Sequence, residues 1–265
     1  MNNPDIDNLT DEEWRMVLEG DHPDLRRGRH FFGLLPSNPR CKVCNAPFSG
    51  LGGMIMRRIG RGPFEKNPNF CEACLVRNEK KGVEIEISML FADVRGSTSM
   101  AERMSASKFT GLMNRFFEVA MDDLVRSDAW IDRLIGDEVV ALYIPGFAGP
   151  HHAKRAIETA RALLKDTGQD DPGGPWIPIG IGVHTGNAYV GLVGSEGGVC
   201  DLTAMGDAMN VTARLTSEAG PGEAIISEAA CKSAGLRDDA YEQRVFELKG
   251  RDAPVRARVF QLGAS

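Results

Sequence analysis

The stretch Phe91-Ala92-Asp93-Val94-Arg95-Gly96-Ser97-Thr98 predicts a strand, a tight turn and the start of a helix. Upstream of it, apolar and polar residues alternate over 83–88, which is typical of a strand. Downstream, residues 99–102 have the spacing of a helix capping box. At such a junction the Asp93 carboxylate can hold a divalent cation, and the amides of 96–98 can point at a phosphate. An isolated Asp in this position is more often a turn cap, so the rest of the chain has to decide.

Composition and charge limit the classes of protein to consider. The 265 residues, 42% of them hydrophobic, suffice for about two domains with an ordinary core. A formal net charge of -6 argues against a nucleic-acid-binding surface across the whole protein. No apolar run approaches the ~18 residues of a membrane span, and the acidic N-terminus lacks the basic region of a signal peptide. We therefore expect a cytoplasmic protein with neither a membrane nor a nucleic acid as its partner.

Four cysteines form two C-x-x-C pairs, Cys41/Cys44 and Cys71/Cys74. Thiols stay reduced in the cytosol, so a disulfide framework is the weaker interpretation. Two such pairs closing on one tetrahedral Zn²⁺ predict a small structural zinc-binding module. An iron–sulfur cluster or a redox-active dithiol remains the alternative.

The chain is expected to contain three segments. Residues 1–35 include a short amphipathic helix that starts at Thr10 and ends at Gly20, followed by basic residues on a solvated face. Residues 36–82 form the four-cysteine zinc-binding module, with a flexible glycine-rich loop between the pairs. From 83 to 265 strands mix with helices, which indicates a layered α/β or α+β domain.

Two strand pairs are expected within this last segment. Residues 130–135 and 139–143 predict a hairpin with Asp137 at its tip. Residues 177–183 and 187–193 predict two paired strands joined by a turn around His184.

Four side chains are candidates for chemistry. If the first strand lies beside the hairpin, Asp93 and Asp137 can share one or two Mg²⁺ ions. Asn210 and Arg214 lie one helical turn apart, where Arg can bind a charged transition state and Asn can orient a sugar. Taken alone, each feature is more often a turn residue or a solvated helix face than a functional group.

Together, four separated motifs resemble the class III nucleotide cyclase catalytic domain. They are F-A-D-V-R-G-S-T, R-L-I-G-D-E, T-A-M-G-D-A-M-N-V-T-A-R-L and L-K-G-R, in that order between about residues 83 and 262. The resemblance implies an α+β fold, with a ferredoxin-like, antiparallel-rich sheet and packed helices. It does not cover the cysteine module.

The resemblance also implies an activity and residue roles. Asp93 and Asp137 would hold two Mg²⁺ or Mn²⁺ ions per active site, while Asn210 would orient the ribose and Arg214 would stabilise the α-phosphate. The ribose 3′-hydroxyl of a nucleoside triphosphate would attack that phosphate and give a 3′,5′-cyclic nucleotide and pyrophosphate. Further phosphate-binding positions would be Gly96, Ser97, Thr98 and Lys249.

Family members place the two metal carboxylates and the Asn/Arg pair of one site on opposite chains, which implies a homodimer with active sites at its interface. The chain departs from the adenylate-forming pattern at the base-reading positions, where Arg133 replaces Lys and Thr203 replaces Asp. Arg offers only hydrogen-bond donors and suits a keto oxygen at least as well as an adenine nitrogen. ATP is favoured, and GTP or a pyrimidine triphosphate stays open.

Two alternatives concern the cysteine module. In one, the cyclase domain is a silent nucleotide-binding module and the zinc ribbon is its interaction domain. Retention of both Asp residues, the Asn and the Arg argues against this hypothesis. In the other, the zinc module is a regulatory lid or a dimer brace on an active cyclase.

Overall fold

The computed structural model describes residues 10–33, 39–65, 67–75, 82–194, 200–236, 241–247 and 254–262. The chain divides into two compact units. The smaller unit comprises Met1–Ile85, Ile144–Pro150 and Ala188–Met205, and the larger comprises Glu86–Tyr143, His151–Asn187 and Gly206–Ser265. In chain order the elements are α1 (Asp11–Glu19), α2 (Pro23–Gly33), α3 (Gly50–Arg58), α4 (Glu72–Leu75), β1 (Gly82–Val94), α5 (Ser97–Arg103), α6 (Ala106–Arg126), β2 (Trp130–Ile135), β3 (Glu138–Tyr143), α7 (Pro145–Ala148), α8 (His152–Asp166), β4 (Ile179–Gly194), β5 (Cys200–Met205), α9 (Asp207–Glu218), β6 (Glu223–Ser227), α10 (Glu228–Ser233), β7 (Glu242–Phe246) and β8 (Val255–Gln261).

Helix α1 of the smaller unit agrees with the sequence prediction at both ends. Thr10 caps it, because its Oγ1 accepts from the Glu13 amide at 3.2 Å while the Glu13 carboxylate accepts from the Thr10 amide at 2.6 Å. Gly20 ends it with φ of 89°, a left-handed conformation that favours glycine. The short-range cap signals therefore suffice to define this helix.

Helix α2 carries the expected solvated basic face, since Arg26, Arg27 and His30 are exposed, but Arg29 is half-buried and departs from it. Its Arg29 points into the smaller unit and donates to four carbonyl groups, those of Val43 at 2.7 Å, Gly146 at 3.2 Å, Gly20 at 3.4 Å and Lys42 at 3.4 Å. One guanidinium thus serves several backbone acceptors that are distant in sequence, which a local charge pattern does not reveal.

Helix α3 occupies part of the segment that we expected to be a flexible loop, so that expectation was wrong. A Cβ on Gly53 would clash with the Phe48 carbonyl, and one on Gly52 would lie 3.0 Å from the Pro47 ring. Glycine at these positions lets the helix approach the preceding chain closely, and this packing offsets the low helix propensity of glycine.

Two contacts fix helix α7 within the smaller unit. Phe70 directly precedes Cys71 in the chain, and its ring is fully buried. The centroid of this ring lies 4.8 Å from that of the Phe147 ring. Helix α7 also approaches the end of α1, since a Cβ on Gly146 would lie 2.5 Å from the Val17 oxygen and 2.6 Å from the Leu18 oxygen. The cysteine segment therefore packs on this short helix through Phe70.

The larger unit contains a mixed sheet with packed helices, as the α+β prediction requires. Its strand order is β2-β3-β1-β4-β6-β8-β7. Strand β4 pairs with β6 in parallel, whereas β3 pairs antiparallel with β1 and β2, and β8 pairs antiparallel with β6 and β7. The buried face of α9 packs through Val211 and Leu215 against Ile225 of β6 and Val259 of β8.

Strand β4 is continuous where the sequence indicated two strands and a turn, so the turn at His184 was a wrong prediction. The His184 Nδ1 lies 2.8 Å from the Ser227 hydroxyl, and the Thr185 hydroxyl lies 2.6 Å from that of Ser88. The His152 ring, buried at the start of α8, also contacts Ser88 at 2.9 Å, and burial lowers its pKa. These long-range partners satisfy polar side chains inside a strand.

No helix in the described ranges is long and apolar enough to cross a membrane.

Replacing Gly146 by Ala should destabilise the protein by about 1–3 kcal/mol, because the added methyl group meets backbone atoms that cannot rotate away. Denaturant unfolding of the parent and the variant measures this difference. The matched control is Gly173→Ala, where no atom lies within 4 Å of the added Cβ. Equal unfolding midpoints for Gly146→Ala and its control would contradict the α1–α7 packing.

Candidate active site

The antiparallel register of β1 and β3 brings three carboxylates together. Asp93 pairs with Glu138, and the Val94 amide donates to the Asp137 carbonyl at 3.2 Å. Asp137 follows Gly136 in the two-residue turn between β2 and β3, where Gly136 has φ of 62°. The structure therefore brings Asp93 and Asp137 to one corner of the sheet, as expected, and adds Glu138.

Like charges crowd this corner. Burial raises the pKa of Asp93, and the Asp137 charge adds to that effect while Arg95 opposes it. Burial also raises the pKa of Glu138, together with the charges of Asp93 and Asp137. Half-buried carboxylates that repel one another are stabilised by a cation, and oxygen ligands are those that Mg²⁺ and Mn²⁺ prefer. The donor set thus fits the divalent ions that the motifs imply.

Arg95 is a component of this corner that the sequence analysis missed. Its Nη1 lies 3.1 Å from Asp93 Oδ1, and both side chains are mostly buried. The residue lies within the first motif, yet its spacing gives no sign that the side chain turns back onto the carboxylate two positions earlier.

The proposed phosphate-binding residues lie directly after β1. Helix α5 begins at Ser97 with Gly96 as its N-cap at φ of 74°, two residues before the expected capping box. Thr98 is exposed and Ser97 half-buried. Lys249, the other expected phosphate ligand, lies outside the described residues.

Helix α9 carries the Asn/Arg pair. Asn210 is exposed and Arg214 is half-buried, one turn further along the helix. Neither side chain has a polar partner within the part of the chain that the structure describes. Both groups are therefore available for a ligand or a second chain.

The two expected base-reading residues lie in different units. Arg133 is exposed on β2, where a register shift after Ile131 marks a bulge, and its Nε lies 2.5 Å from the buried Asp132 carboxylate. Bulges change the direction of a side chain, and this one accompanies an ion pair that orients the guanidinium. Thr203 is buried on β5 of the smaller unit, paired with Gly191 of β4.

The four cysteines converge on a second potential metal site. Their sulfur atoms all lie within 4.8 Å of one another, with 3.9 Å between Cys41 and Cys74 and 3.7 Å between Cys44 and Cys71. Tetrahedral zinc with Zn–S bonds of about 2.3 Å gives sulfur–sulfur edges of about 3.8 Å. The Cys71 amide donates to Cys41 Sγ at 3.4 Å, and Arg61 donates to Cys44 Sγ at 3.7 Å. The donor set therefore fits a closed structural zinc site.

Comparison with known proteins identifies the larger part of the chain. The family profile described as "Adenylate and Guanylate cyclase catalytic domain" matches residues 80–260. The chain belongs to this cyclase family. An adenylate cyclase of Anabaena cylindrica is 30% identical in an alignment of 183 residues that covers 64% of this chain and 35% of that protein.

Solved cyclase structures share the fold. The guanylyl cyclase Cya2 has a TM-score of 0.61 at 27% identity, over 69% of this chain and 95% of that structure. The adenylyl cyclase CyaB from P. aeruginosa has a TM-score of 0.59 at 24% identity, over 68% and 96% respectively. The chain spans about a third of the length of the curated relatives it matches first.

Proposed function

We propose that this chain is a class III nucleotide cyclase that converts a nucleoside triphosphate, with ATP favoured, to a 3′,5′-cyclic nucleotide and pyrophosphate. The observation that carries the proposal is the carboxylate corner formed by Asp93, Asp137 and Glu138, within a domain of the cyclase family. The proposal includes the segment boundaries 1–35, 36–82 and 83–265 and a cytoplasmic location.

Each candidate side chain has a role that its position supports. Asp93 and Asp137 bind the two Mg²⁺ or Mn²⁺ ions, which lower the pKa of the ribose hydroxyl and neutralise the triphosphate when bound. Asn210 orients the ribose, and Arg214 balances the negative charge that develops on the α-phosphate oxygens. The amides of residues 96–98 bind the phosphate chain, and Lys249, which lies outside the described residues, is given the same role from its motif alone.

The proposed homodimer is supported by exposed apolar side chains. Tyr189 and Met205 are Cα partners in the β4–β5 pair of the smaller unit and are 43% and 52% exposed. In the larger unit Leu134 and Ile135, beside the carboxylate corner, are 43% and 55% exposed. Apolar side chains of this size are covered in protein interfaces. In a dimer, Asn210 and Arg214 of one chain would complete the metal site of the other.

The base preference is proposed from the relatives and from Arg133. A relative named adenylate cyclase supports ATP, and the structural similarity to a guanylyl cyclase keeps GTP open. The ion pair with Asp132 holds the Arg133 donors in a defined direction, which favours an acceptor on the base.

The activity is tested by incubating the protein and Mn²⁺ with ATP, GTP, CTP or UTP and identifying products by mass spectrometry. We expect a cyclic nucleotide from at least one of them. Asp93→Asn should abolish it by removing a metal ligand, and Arg214→Ala should reduce turnover by on the order of 10²- to 10³-fold. Asp170→Asn, which alters an exposed carboxylate elsewhere, is the matched control.

Absence of product from all four triphosphates would refute the proposed activity and favour the silent nucleotide-binding module. Unchanged turnover of Asp93→Asn would refute the metal assignment alone.

We also propose that the four cysteines bind one structural Zn²⁺. Elemental analysis of the purified protein should find about one zinc per chain. Cys44→Ser should lose that zinc and lower the thermal midpoint by on the order of 10 °C, since zinc supplies folding free energy. Cys231→Ser, at a buried thiol outside the cluster, is the control. A zinc-free protein, or iron with visible absorbance, would contradict the assignment.

A further inference from the structure

The Arg95 side chain connects two parts of the larger unit that carry different halves of the proposed chemistry. Its Nη1 contacts Asp93 Oδ1 at 3.1 Å, and its Nη2 donates to the Thr216 carbonyl near the end of α9. Its backbone amide donates to the Pro178 carbonyl at 2.9 Å, just before β4. The same residue therefore contacts β1, the start of β4 and α9.

Gly180 on β4 creates the space for this arrangement. A Cβ at that position would clash with Arg95 Nε and Nη2 and would lie 2.8 Å from the Ala219 carbonyl. Any other residue at 180 would therefore displace the guanidinium from its place between the strand and the helix end. The Arg95 Nε is buried and has no hydrogen-bond partner among the described residues, so the position is maintained by the two terminal nitrogens.

Helix α9 links this contact to the proposed transition-state residues. Thr216 lies two residues after Arg214 and six after Asn210 on one continuous helix. A helix is stiff over this length, so fixing its last turn also fixes the direction in which Asn210 and Arg214 project.

We propose that Arg95 is a positioning residue that holds the metal-binding carboxylate of Asp93 and the α9 helix in a fixed relation. This inference rests on the proposed function and extends it to a residue for which the cyclase motifs gave no role. In the homodimer, Asp93 and α9 of one chain would serve two different active sites, so Arg95 would couple both sites within each chain.

Two properties of the guanidinium account for this role. Its positive charge offsets part of the repulsion among Asp93, Asp137 and Glu138, which stabilises the folded corner. The same charge weakens the attraction of these carboxylates for a divalent cation. Its planar array of donors serves the carboxylate and the carbonyl at once, which the single ammonium of Lys cannot do in the same geometry.

Two variants of Arg95 separate the effect of its positive charge from the effect of its hydrogen-bond geometry. Mn²⁺ binding is measured by calorimetry in the presence of 3′-deoxy-ATP, or the 3′-deoxy form of the accepted nucleotide, which lacks the attacking hydroxyl. Turnover is measured separately with the accepted triphosphate. Arg95→Gln should bind Mn²⁺ roughly fivefold more tightly, because a positive charge is removed, while its turnover falls about tenfold or more.

Arg95→Lys should bind Mn²⁺ within about twofold of the parent, because it keeps the charge, and its turnover should remain reduced because the contact to α9 is lost. The control Lys154→Gln removes an exposed positive charge far from any proposed role and should change neither quantity.

A merely structural role would give a different pattern, in which both Arg95 variants lose Mn²⁺ affinity and turnover in parallel with thermal stability. That pattern would overturn the inference and leave the proposed cyclase function standing. An Arg95→Gln variant with the Mn²⁺ affinity and turnover of the parent would do the same. A parent chain that binds no Mn²⁺ with any of the four 3′-deoxy triphosphates would overturn the proposed function and this inference together.

Discussion

The antiparallel pairing of β1 with β3 is the constraint on which the proposed active site depends. Because Asp93 pairs with Glu138 and the turn places Asp137 beside them, three carboxylates share one half-buried corner. Folding brings these like charges together, and Arg95 compensates for only part of their repulsion. The free energy that opposes this crowding is also what makes the corner attract a divalent cation. The register of β1 and β3 thus accounts both for the cluster of carboxylates and for the metal binding proposed there.

A second constraint concerns the cysteine segment and the chain that surrounds it. The sequence predicts a metal-stabilised module, and the sulfur positions fit that prediction. Phe70 packs against Phe147, and Arg29 donates to the Gly146 carbonyl, so helix α7 lies in the same compact unit as the cysteines. Loss of the proposed zinc would therefore disturb residues that lie between β3 and α8 in the chain.

Elements that depend on residues close together in the chain could be predicted from the sequence. Elements and contacts that depend on residues distant in the chain could not. Helix α1 and the β2–β3 hairpin follow from caps, turn residues and alternation within a few positions. The continuity of β4 through His184 depends on Ser227, which is 43 residues away. Helix α3 depends on close packing of its glycines against Pro47 and Phe48, although glycine alone indicates a loop. The motifs likewise marked the candidate metal and transition-state residues, but the Arg95 contact with α9 spans 121 positions and leaves no local signal.

In the proposed homodimer, each active site takes its metal carboxylates from one chain and its Asn/Arg pair from the other. Mixing an Asp93→Asn chain with an Arg214→Ala chain tests this arrangement most directly, because a mixed dimer would combine both defects in one site and leave the other intact. An equimolar, freely exchanging mixture should recover about a quarter of the parent turnover, since half of the dimers are mixed and each has one working site. Turnover that stays at the sum of the two separate variants would show that the active site is not shared between chains.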